Sequence, residues 1–171
     1  VLDVGQGDAI VVEFPDNKIL LIDGGPITPT RDAGEMVILP YLRRRQINHL
    51  QGILISHPHS DHLGGILSVL KTLPVDRVWD GGSDTASSLH KDYFRMIDSL
   101  HITRTVVQAG ESIGGFEGAR LYVLHPTRQF VSAVGRRRMN LNNQSVVVKL
   151  CYGRTSLLLE GDAEWDAERA I

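Results

Sequence analysis

The spacing of apolar and polar residues divides the chain into strands and helices that alternate over most of its length. Apolar runs rich in β-branched residues predict strands, and apolar residues three or four positions apart predict helices. The predicted strands cover residues 8–14, 19–23, 52–56, 77–79, 105–108, 119–124, 145–152 and 155–159. The predicted helices cover residues 33–46, 63–73, 88–100 and 163–171. Glycine-rich residues 110–118 predict a turn, and polar, Arg-rich residues 127–143 predict a loop.

The order of these elements indicates the fold class. The first two strands flank the turn-forming residues 15–18, which predicts an antiparallel hairpin. Strands and helices then alternate, which is typical of sheets whose strands are buried on both faces. Gly153 and Arg154 separate the last two strands and predict a second hairpin. The pattern therefore predicts an α/β (α+β) fold with one or two mixed sheets and helices outside.

Composition excludes several classes of protein. The 171 residues are 42% hydrophobic and 22% charged, as expected for one globular domain rather than a disordered tail. A net charge of −2 excludes a general attraction to nucleic acid or to membrane surfaces. Because no apolar run reaches the length of a membrane-spanning helix, we expect a soluble domain. The single cysteine, Cys151, excludes a Cys-rich zinc site and leaves histidine and carboxylate as metal ligands.

The two ends indicate a piece of a longer polypeptide. The sequence begins at Val1, without a methionine, in a strand-like run, and it ends at Ile171 inside a predicted helix. We therefore expect residues 1–171 to be most, but not all, of one domain.

Three histidines and an aspartate fall within six residues after the predicted strand 52–56. They are His57, His59, Asp61 and His62. The carboxyl end of a buried strand is where α/β sheets bind ligands, and imidazole and carboxylate are ligands for zinc, iron or manganese. His57 and His59 can face one ion, whereas Asp61 and His62 can face a second. This spacing therefore predicts a centre of two metal ions.

Two further aspartates follow predicted strands. Asp23 comes directly after an apolar run, and Asp162 follows Glu160 and Gly161 at the end of another. Alone, each would be interpreted as a turn former or a helix cap. A centre of two divalent ions needs a bridging anion, however, and the carboxylate of Asp162 fits that role.

The motif His-x-His-x-Asp-His at residues 57–62, together with Asp23 and the pair Gly161-Asp162, resembles that of metallo-β-lactamase-fold hydrolases. Four more segments resemble the soluble domain of ComEC-type DNA-internalisation competence proteins, a branch that includes stand-alone phosphodiesterases; these are residues 2–9, 21–26, 39–42 and 161–164. The resemblance implies a four-layer αββα sandwich with metals at the edge between its two sheets. It also implies that this domain is truncated, because the later strands and a last histidine ligand would follow Ile171.

The resemblance also implies roles for individual residues around two divalent ions, zinc or manganese. The implied ligands are His57 and His59 for one ion, Asp61 and His62 for the other, and Asp162 as the bridge. Asp23 would orient the ligands without touching an ion. Water bound between the ions would be the nucleophile, with Asp61 taking part in catalysis. In a truncated domain we expect the second ion to lack a ligand, so that metal binding itself becomes a question for experiment.

One histidine of the family pattern is missing. It normally precedes the Gly-Asp strand, where this chain has Asn-rich residues 140–146. Asn143 or Ser145 could supply an oxygen ligand or position substrate, and His125 at the end of a strand is an alternative donor.

Three hypotheses about function follow. The first is a metal-dependent phosphodiesterase or nuclease domain that acts on single-stranded DNA and is joined to a transmembrane channel in a bacterial inner-membrane protein. The second is a stand-alone small-molecule esterase or phosphodiesterase, and the third is a non-catalytic module that guides DNA. Arg136, Arg137 and Arg138 in the predicted loop could hold successive phosphates. Apolar surface left bare by missing strands could also cause artefactual self-association.

Overall fold

The computed structural model describes residues 1–83, 85–130 and 140–171, and the arginines at 136–138 lie outside this part. The strands are β1 Ile10–Glu13, β2 Ile19–Ile22, β3 Ile27–Thr28, β4 Arg31–Asp32, β5 Gly52–Leu54, β6 Arg77–Asp80, β7 Thr103–Val106, β8 Ser112–Phe116, β9 Ala119–His125, β10 Val147–Tyr152 and β11 Thr155–Leu159. The α-helices are α1 Leu39–Arg44, α2 Ser60–Leu63, α3 Ile66–Thr72, α4 Ser88–Ser99 and α5 Trp165–Glu168, with a π-helical turn at Gly34–Ile38 and a 3₁₀ turn at Asn142–Gln144. None of the helices within these ranges is long and apolar enough to cross a membrane.

The first sheet has five strands in the order β1-β2-β5-β6-β7. β1 is antiparallel to β2, as the predicted hairpin requires, whereas the pairs β2-β5, β5-β6 and β6-β7 are parallel. Parallel strands end at the same edge of a sheet, where α/β proteins bind ligands. The residues that follow β2 and β5, including Asp23 and His57, therefore lie at one edge.

The second sheet has four antiparallel strands in the order β11-β10-β9-β8. β10 and β11 form the predicted hairpin, with Tyr152 opposite Thr155 and Gly153 in the left-handed region at φ 57°. The prediction of a mixed α/β fold with antiparallel strands at both ends of the chain is confirmed.

The first sheet separates two hydrophobic cores. Between this sheet and the helices lie Leu21, Ile53, Val78, Leu42, Ile66, Tyr93 and Ile97, all buried. Between the two sheets lie Leu20, Ile22, Leu54, Trp79, Leu121, Val123 and Val148. Helices, first sheet and second sheet thus form three successive layers of the predicted sandwich. Burial on both faces explains why β2 and β5 appear in the sequence as continuous apolar runs.

The first two predicted helices, over residues 33–46 and 63–73, are each divided into two parts in the structure. The helix predicted over 33–46 starts as the π-helical turn, and α1 follows with Pro40 in its first turn, where a missing N–H is tolerated. The helix predicted over 63–73 is instead α2 and α3. Gly64 and Gly65 lie between them, and a Cβ built on Gly65 would lie 2.2 Å from the carbonyl oxygen of Gly24. The packing of this turn against the Asp23 loop therefore requires glycine.

The prediction of a turn over residues 110–118 is wrong. The segment contains β8, because Ile113 and Phe116 are buried in the core between the sheets. The pairing with β9 shifts register between these two residues, which accommodates the intervening glycines. Three smaller differences are that β7 begins two residues before its predicted start, that the terminal helix is one turn long, and that the hairpin β3-β4 was not predicted.

Candidate metal centre

The histidine motif lies where β5 leaves the first sheet and α2 begins. His57 follows the buried residues Ile55 and Ser56, His59 precedes the first residue of α2, and His62 lies within that helix. His57 and His62 are 1% and 0% exposed, so their rings are held by packing on all sides. The centroids of these two rings are 4.2 Å apart. The local strand-to-helix transition thus brings the rings of His57 and His62 together, whereas Asp61 is not among the groups whose ligand atoms converge in the described residues.

Asp23 is the anchor of this arrangement. It is 1% exposed and adopts a left-handed conformation at φ 56°, which an aspartate tolerates better than most residues. Its carboxylate accepts hydrogen bonds from the backbone N–H of Ser56 at 2.8 Å, from the Ser56 hydroxyl at 2.6 Å and from Nδ1 of His62 at 2.9 Å. Burial raises the pKa of Asp23, while the bonds from His62 and Ser56 oppose that rise. Asp23 thereby fixes the tautomer and plane of the His62 ring, as outer carboxylates do in metal sites.

His57 and His59 point a nitrogen toward each other. Nε2 of His57 and Nδ1 of His59 are 3.0 Å apart, and Nδ1 of His57 donates to the Ser56 hydroxyl at 3.1 Å. Burial, followed by the positive charges of His62 and His59, lowers the pKa of His57 to about 3. A neutral imidazole, with one nitrogen protonated and a lone pair on the other, is the form that binds a metal ion.

His62 faces Asp162 on its other side. Nε2 of His62 lies 3.1 Å from Oδ1 of Asp162 without forming a hydrogen bond to it, and this buried nitrogen has no hydrogen-bond partner among the described residues. Burial alone would lower the pKa of His62, but the hydrogen bond and charge of Asp23 and the charges of Asp162 and Asp61 raise it to about 9. The ligand atoms of His57, His62 and Asp162 lie within 4.8 Å of one another.

The Asn-rich segment holds the residues around Asp162 in place. Oδ1 of Asn143 accepts hydrogen bonds from the backbone N–H groups of Glu164 at 3.1 Å and Ala167 at 3.2 Å. The amides of Asn140 and Asn142 donate to the Glu164 carboxylate at 2.9–3.0 Å. The amide oxygen of Asn143 is thus engaged in holding α5, and its suggested role as a ligand stays a prediction.

Ser145 lies next to His57, and His125 contacts Ser145. Oγ of Ser145 is 3.4 Å from Nδ1 of His57, and the carbonyl oxygen of Ser145 accepts from Nδ1 of His125 at 2.9 Å. Nε2 of His125 is buried and has no hydrogen-bond partner in the described part of the chain, and burial lowers the pKa of this ring. A histidine whose other nitrogen donates to a carbonyl is oriented like a metal ligand. Its place in the ligand set stays a prediction, because the convergent groups comprise other residues.

The loop before β1, which includes residues 5–8, also contacts the centre, and the sequence pattern did not indicate this. An oxygen of Asp8, one of Asp23 and a nitrogen of His62 lie within 4.8 Å of one another. Nε2 of Gln6 donates to Oδ2 of Asp61 at 3.2 Å, and a Cβ built on Gly7 would lie 1.8 Å from the carbonyl oxygen of Asp61. The two glycines that flank Gln6 were the available signal, because such close backbone approach requires glycine.

A small cavity of about 10 Å³ adjoins His57. Its lining includes Asp80, His90 and Tyr93. Asp80 is held by a bidentate pair with Arg104 at 2.6 and 2.7 Å, and burial followed by the charge of Asp80 raises the pKa of Tyr93. The cavity therefore has room beside His57 for about one water molecule, which is less than a group of a substrate needs.

The donor set fits divalent ions. Zinc and manganese bind imidazole nitrogen and carboxylate oxygen, and such an ion would account for the buried ring nitrogen of His62 that has no hydrogen-bond partner among the described residues. Comparison with known proteins agrees: the family described as Metallo-beta-lactamase superfamily matches residues 2–132. The chain belongs to the metallo-beta-lactamase superfamily. Members of this superfamily are generally metal-dependent hydrolases.

Curated relatives extend this metallo-beta-lactamase assignment. The chain is 31% identical to "Recombination protein 2" of Haemophilus influenzae, over 95% of this chain and 18% of that protein. It is 24% identical to "ComE operon protein 3" of Bacillus subtilis, over 100% of this chain and 23% of that protein. Both are names of the ComEC family, so the resemblance to that family is confirmed. The chain is also 33% identical to "Ribonuclease J" of Synechocystis, over 64% of this chain and 18% of that protein. It spans about a fifth of the length of these relatives.

Solved structures show the same metallo-beta-lactamase fold. The metallo-beta-lactamase fold protein YhfI from Bacillus subtilis matches with a TM-score of 0.56 at 12% identity, over 90% of this chain and 54% of that one. Zinc-bound PqqB from Methylobacterium extorquens matches with a TM-score of 0.55 at 12% identity, over 88% of this chain and 47% of that one. The predicted fold class is therefore confirmed.

Proposed function

We propose that this chain is the hydrolase domain of a ComEC-type DNA-uptake protein and cleaves phosphodiester bonds of single-stranded DNA with two divalent ions, zinc or manganese. The observation that carries the proposal is the convergence of His57, His62 and Asp162, whose ligand atoms lie within 4.8 Å, beside the His57–His59 nitrogen pair. The parent protein would lie in the bacterial inner membrane, with a transmembrane channel in the same polypeptide.

Each residue of the centre has a task in this proposal. The residues that would hold the ions are His57 and His59, Asp61 and His62, and the bridging Asp162. Bound there, the ions would activate a water molecule as nucleophile and stabilise the phosphate charge that grows during displacement. Asp23 would keep Nδ1 of His62 protonated and its Nε2 free. The Asp61 carboxylate, oriented by Gln6, would accept a proton from the attacking water.

The names of the relatives support the proposed substrate and the proposed membrane-associated parent. The name Ribonuclease J denotes a nuclease, which supports a polynucleotide phosphodiester as substrate. Relatives with ComEC-family names support a role in DNA uptake and a membrane-associated parent. A small-molecule phosphodiesterase and a non-catalytic DNA-guiding module are the alternatives that the experiment must separate.

The test combines metal analysis with hydrolysis, on the chain and on the complete polypeptide. The protein is loaded with manganese or zinc and assayed with labelled single-stranded DNA and with bis(p-nitrophenyl) phosphate. We expect His59→Ala and Asp61→Ala to lower DNA cleavage by more than about 100-fold, beyond the loss typical of outer partners. Matched controls are His49→Ala and Asp98→Ala, because His49 pairs with Asp76 and Asp98 lies on α4, both outside the centre.

The outcomes separate the three hypotheses. Cleavage of bis(p-nitrophenyl) phosphate without cleavage of DNA would favour the small-molecule enzyme. Protein that binds no divalent ion would favour the non-catalytic module. Undiminished cleavage of DNA by either the His59 or the Asp61 variant would contradict the proposed centre.

A further inference from the structure

We propose that Arg31 is a substrate-positioning residue that holds a phosphate of the DNA strand next to the one being cleaved. This inference rests on the proposed function, since it concerns how a phosphodiester chain is held at that centre. Nothing in the sequence pattern singled out Arg31, which lies in the unpredicted hairpin β3-β4.

The first step is the location of this hairpin beside the histidine motif. β3 begins four residues after Asp23, and β3 pairs with β4 through Thr28 and Arg31. A Cβ built on Gly64 would lie 2.4 Å from the backbone nitrogen of Ile27, so the hairpin packs directly against the turn that follows His62. The hairpin is thus fixed to the element that carries the histidines.

The second step is the loop at residues 5–7, which lies between Arg31 and Asp61. A Cβ built on Gly5 would lie 3.1 Å from Nη1 and 3.2 Å from Nη2 of Arg31. At its other end the loop contacts Asp61, through Gly7 and through the side chain of Gln6. Because two residues of chain span at most about 7 Å, the guanidinium lies near the candidate ligands. It forms no ion pair with their carboxylates within the described residues, so it stays beside them rather than on them. This geometry favours contact with a flanking phosphate rather than with the one that reacts.

The third step is the availability of the charge. Arg31 is exposed, and its guanidinium forms no hydrogen bond or ion pair with any residue in the described ranges, although its backbone carbonyl accepts from the Thr28 hydroxyl. Three described arginines are engaged by carboxylates: Arg45 by Glu13, Arg95 by Asp92 and Arg104 by Asp80. Of the described arginines without such a partner, Arg31 is the one that these contacts place beside the centre. A guanidinium has five N–H donors in a planar fork that suits phosphate oxygens.

The negative charge of the centre explains why a cation beside it would help to bind DNA. The centre carries the carboxylates of Asp8, Asp23, Asp61 and Asp162, and the chain as a whole has a net charge of −2. Bound ions would offset this charge most strongly at the reacting phosphate and less at the phosphates beside it, because a Coulomb interaction weakens with distance. A free cation at the rim of the centre is therefore where a flanking phosphate would gain most.

The experiment measures binding of a labelled single-stranded oligonucleotide by fluorescence anisotropy as salt is varied. We expect Arg31→Ala to weaken binding about tenfold and to reduce the salt slope by about 0.7, as loss of one phosphate contact does. The affinity of Arg31→Lys should lie between those of the wild type and Arg31→Ala, because lysine keeps the positive charge but lacks the planar set of donors of the guanidinium. Arg43→Ala is the matched control, because Arg43 lies in the last turn of α1 and has no pairing carboxylate in the described part of the chain.

A second measurement separates this inference from the proposed function. With bis(p-nitrophenyl) phosphate, which has one phosphate, Arg31→Ala should change kcat/KM less than twofold, whereas KM for the oligonucleotide should rise about tenfold. Wild-type protein that binds DNA but hydrolyses neither substrate would contradict the proposed function while the binding data still tested Arg31. Binding by Arg31→Ala equal to wild type, an equal loss in Arg43→Ala, or no DNA binding by wild type would overturn the inference.

Discussion

The two sheets contribute to the candidate metal centre in different ways. In the first sheet, β2 and β5 are buried along their whole length, and the candidate ligands that follow β5 include His57 and His62, which are 1% and 0% exposed. In the second sheet, β11 is exposed at four of its five positions, and the side chain of Asp162 beyond it is 40% exposed. The histidines are therefore held by packing on every side, whereas the aspartate depends on a few hydrogen bonds.

The position of each strand in its sheet explains this difference. β2 and β5 are interior strands with a core on each face, whereas β11 has only β10 beside it. Successive residues of a strand point to opposite faces, yet Leu157 and Leu158 are 53% and 48% exposed. Burial on two faces makes the first half a rigid support, and the second half lacks that support at its edge.

The largest effect should come from the buried anchor of the first half. Asp23→Ala removes the acceptor of three hydrogen bonds and leaves the donors of His62 and Ser56 without that acceptor in a buried site, so we expect a loss of about 3–5 kcal/mol of unfolding free energy. Asp162→Ala, at a partly exposed position, should cost less than about 1 kcal/mol. Urea unfolding of metal-free protein measures both, and equal losses would remove the distinction between the halves.

The next comparison uses leucines of the same size in the two sheets. Leu21 is fully buried in the helix-facing core, so Leu21→Ala should cost about 2–5 kcal/mol through lost burial and a cavity. Leu157→Ala at the exposed edge should change stability by less than about 0.5 kcal/mol. Urea unfolding of the two metal-free variants measures both changes. A loss above about 2 kcal/mol for Leu157 would mean that this face is covered in solution.

A third comparison separates backbone strain from a contact with the centre. Gly7 and Gly110 both have positive φ, at 81° and 92°, so an alanine at either should cost about 1–2 kcal/mol of backbone energy. Only at Gly7 would the new methyl collide with Asp61, since nothing lies within 4 Å of a Cβ at Gly110. Calorimetric titration should therefore show ion affinity at least about tenfold weaker for Gly7→Ala alone. Equal affinity in the two variants would contradict the role of the first loop.

The smallest expected effect lies in the segment that presents Asp162. Asn143→Ala removes the side-chain acceptor of two N–H groups at α5 and should cost about 0.5–2 kcal/mol. Because the loss is local, hydrogen exchange should rise over residues 160–171 and stay unchanged in β2 and β5. A uniform rise across both sheets would show that the two halves unfold together.

Local features made much of this fold predictable. The apolar runs that became β2 and β5 are buried on both faces, and the polar residues that end them, Asp23 and His57, had to lie at a sheet edge. β8 was missed because its glycines resemble a turn, and only the core between the sheets shows why Ile113 is buried. Asp8 and Gln6 were missed because their contacts are with residues more than fifty positions away or on another strand end.

For the candidate site, the sequence by itself determined the kinds of ligand and their order along the chain, because His57, His59, Asp61 and His62 are neighbours in one strand-to-helix turn. Tertiary structure alone decided which atoms converge. Asp23 meets His62 from a different strand, and Asp162 reaches it from a different sheet. Arg31 also acquires its position from packing, since Gly5 and Gly64 bring distant parts of the chain around it. Spacing specifies local geometry, whereas contacts between distant segments depend on the burial of apolar surface by the whole fold.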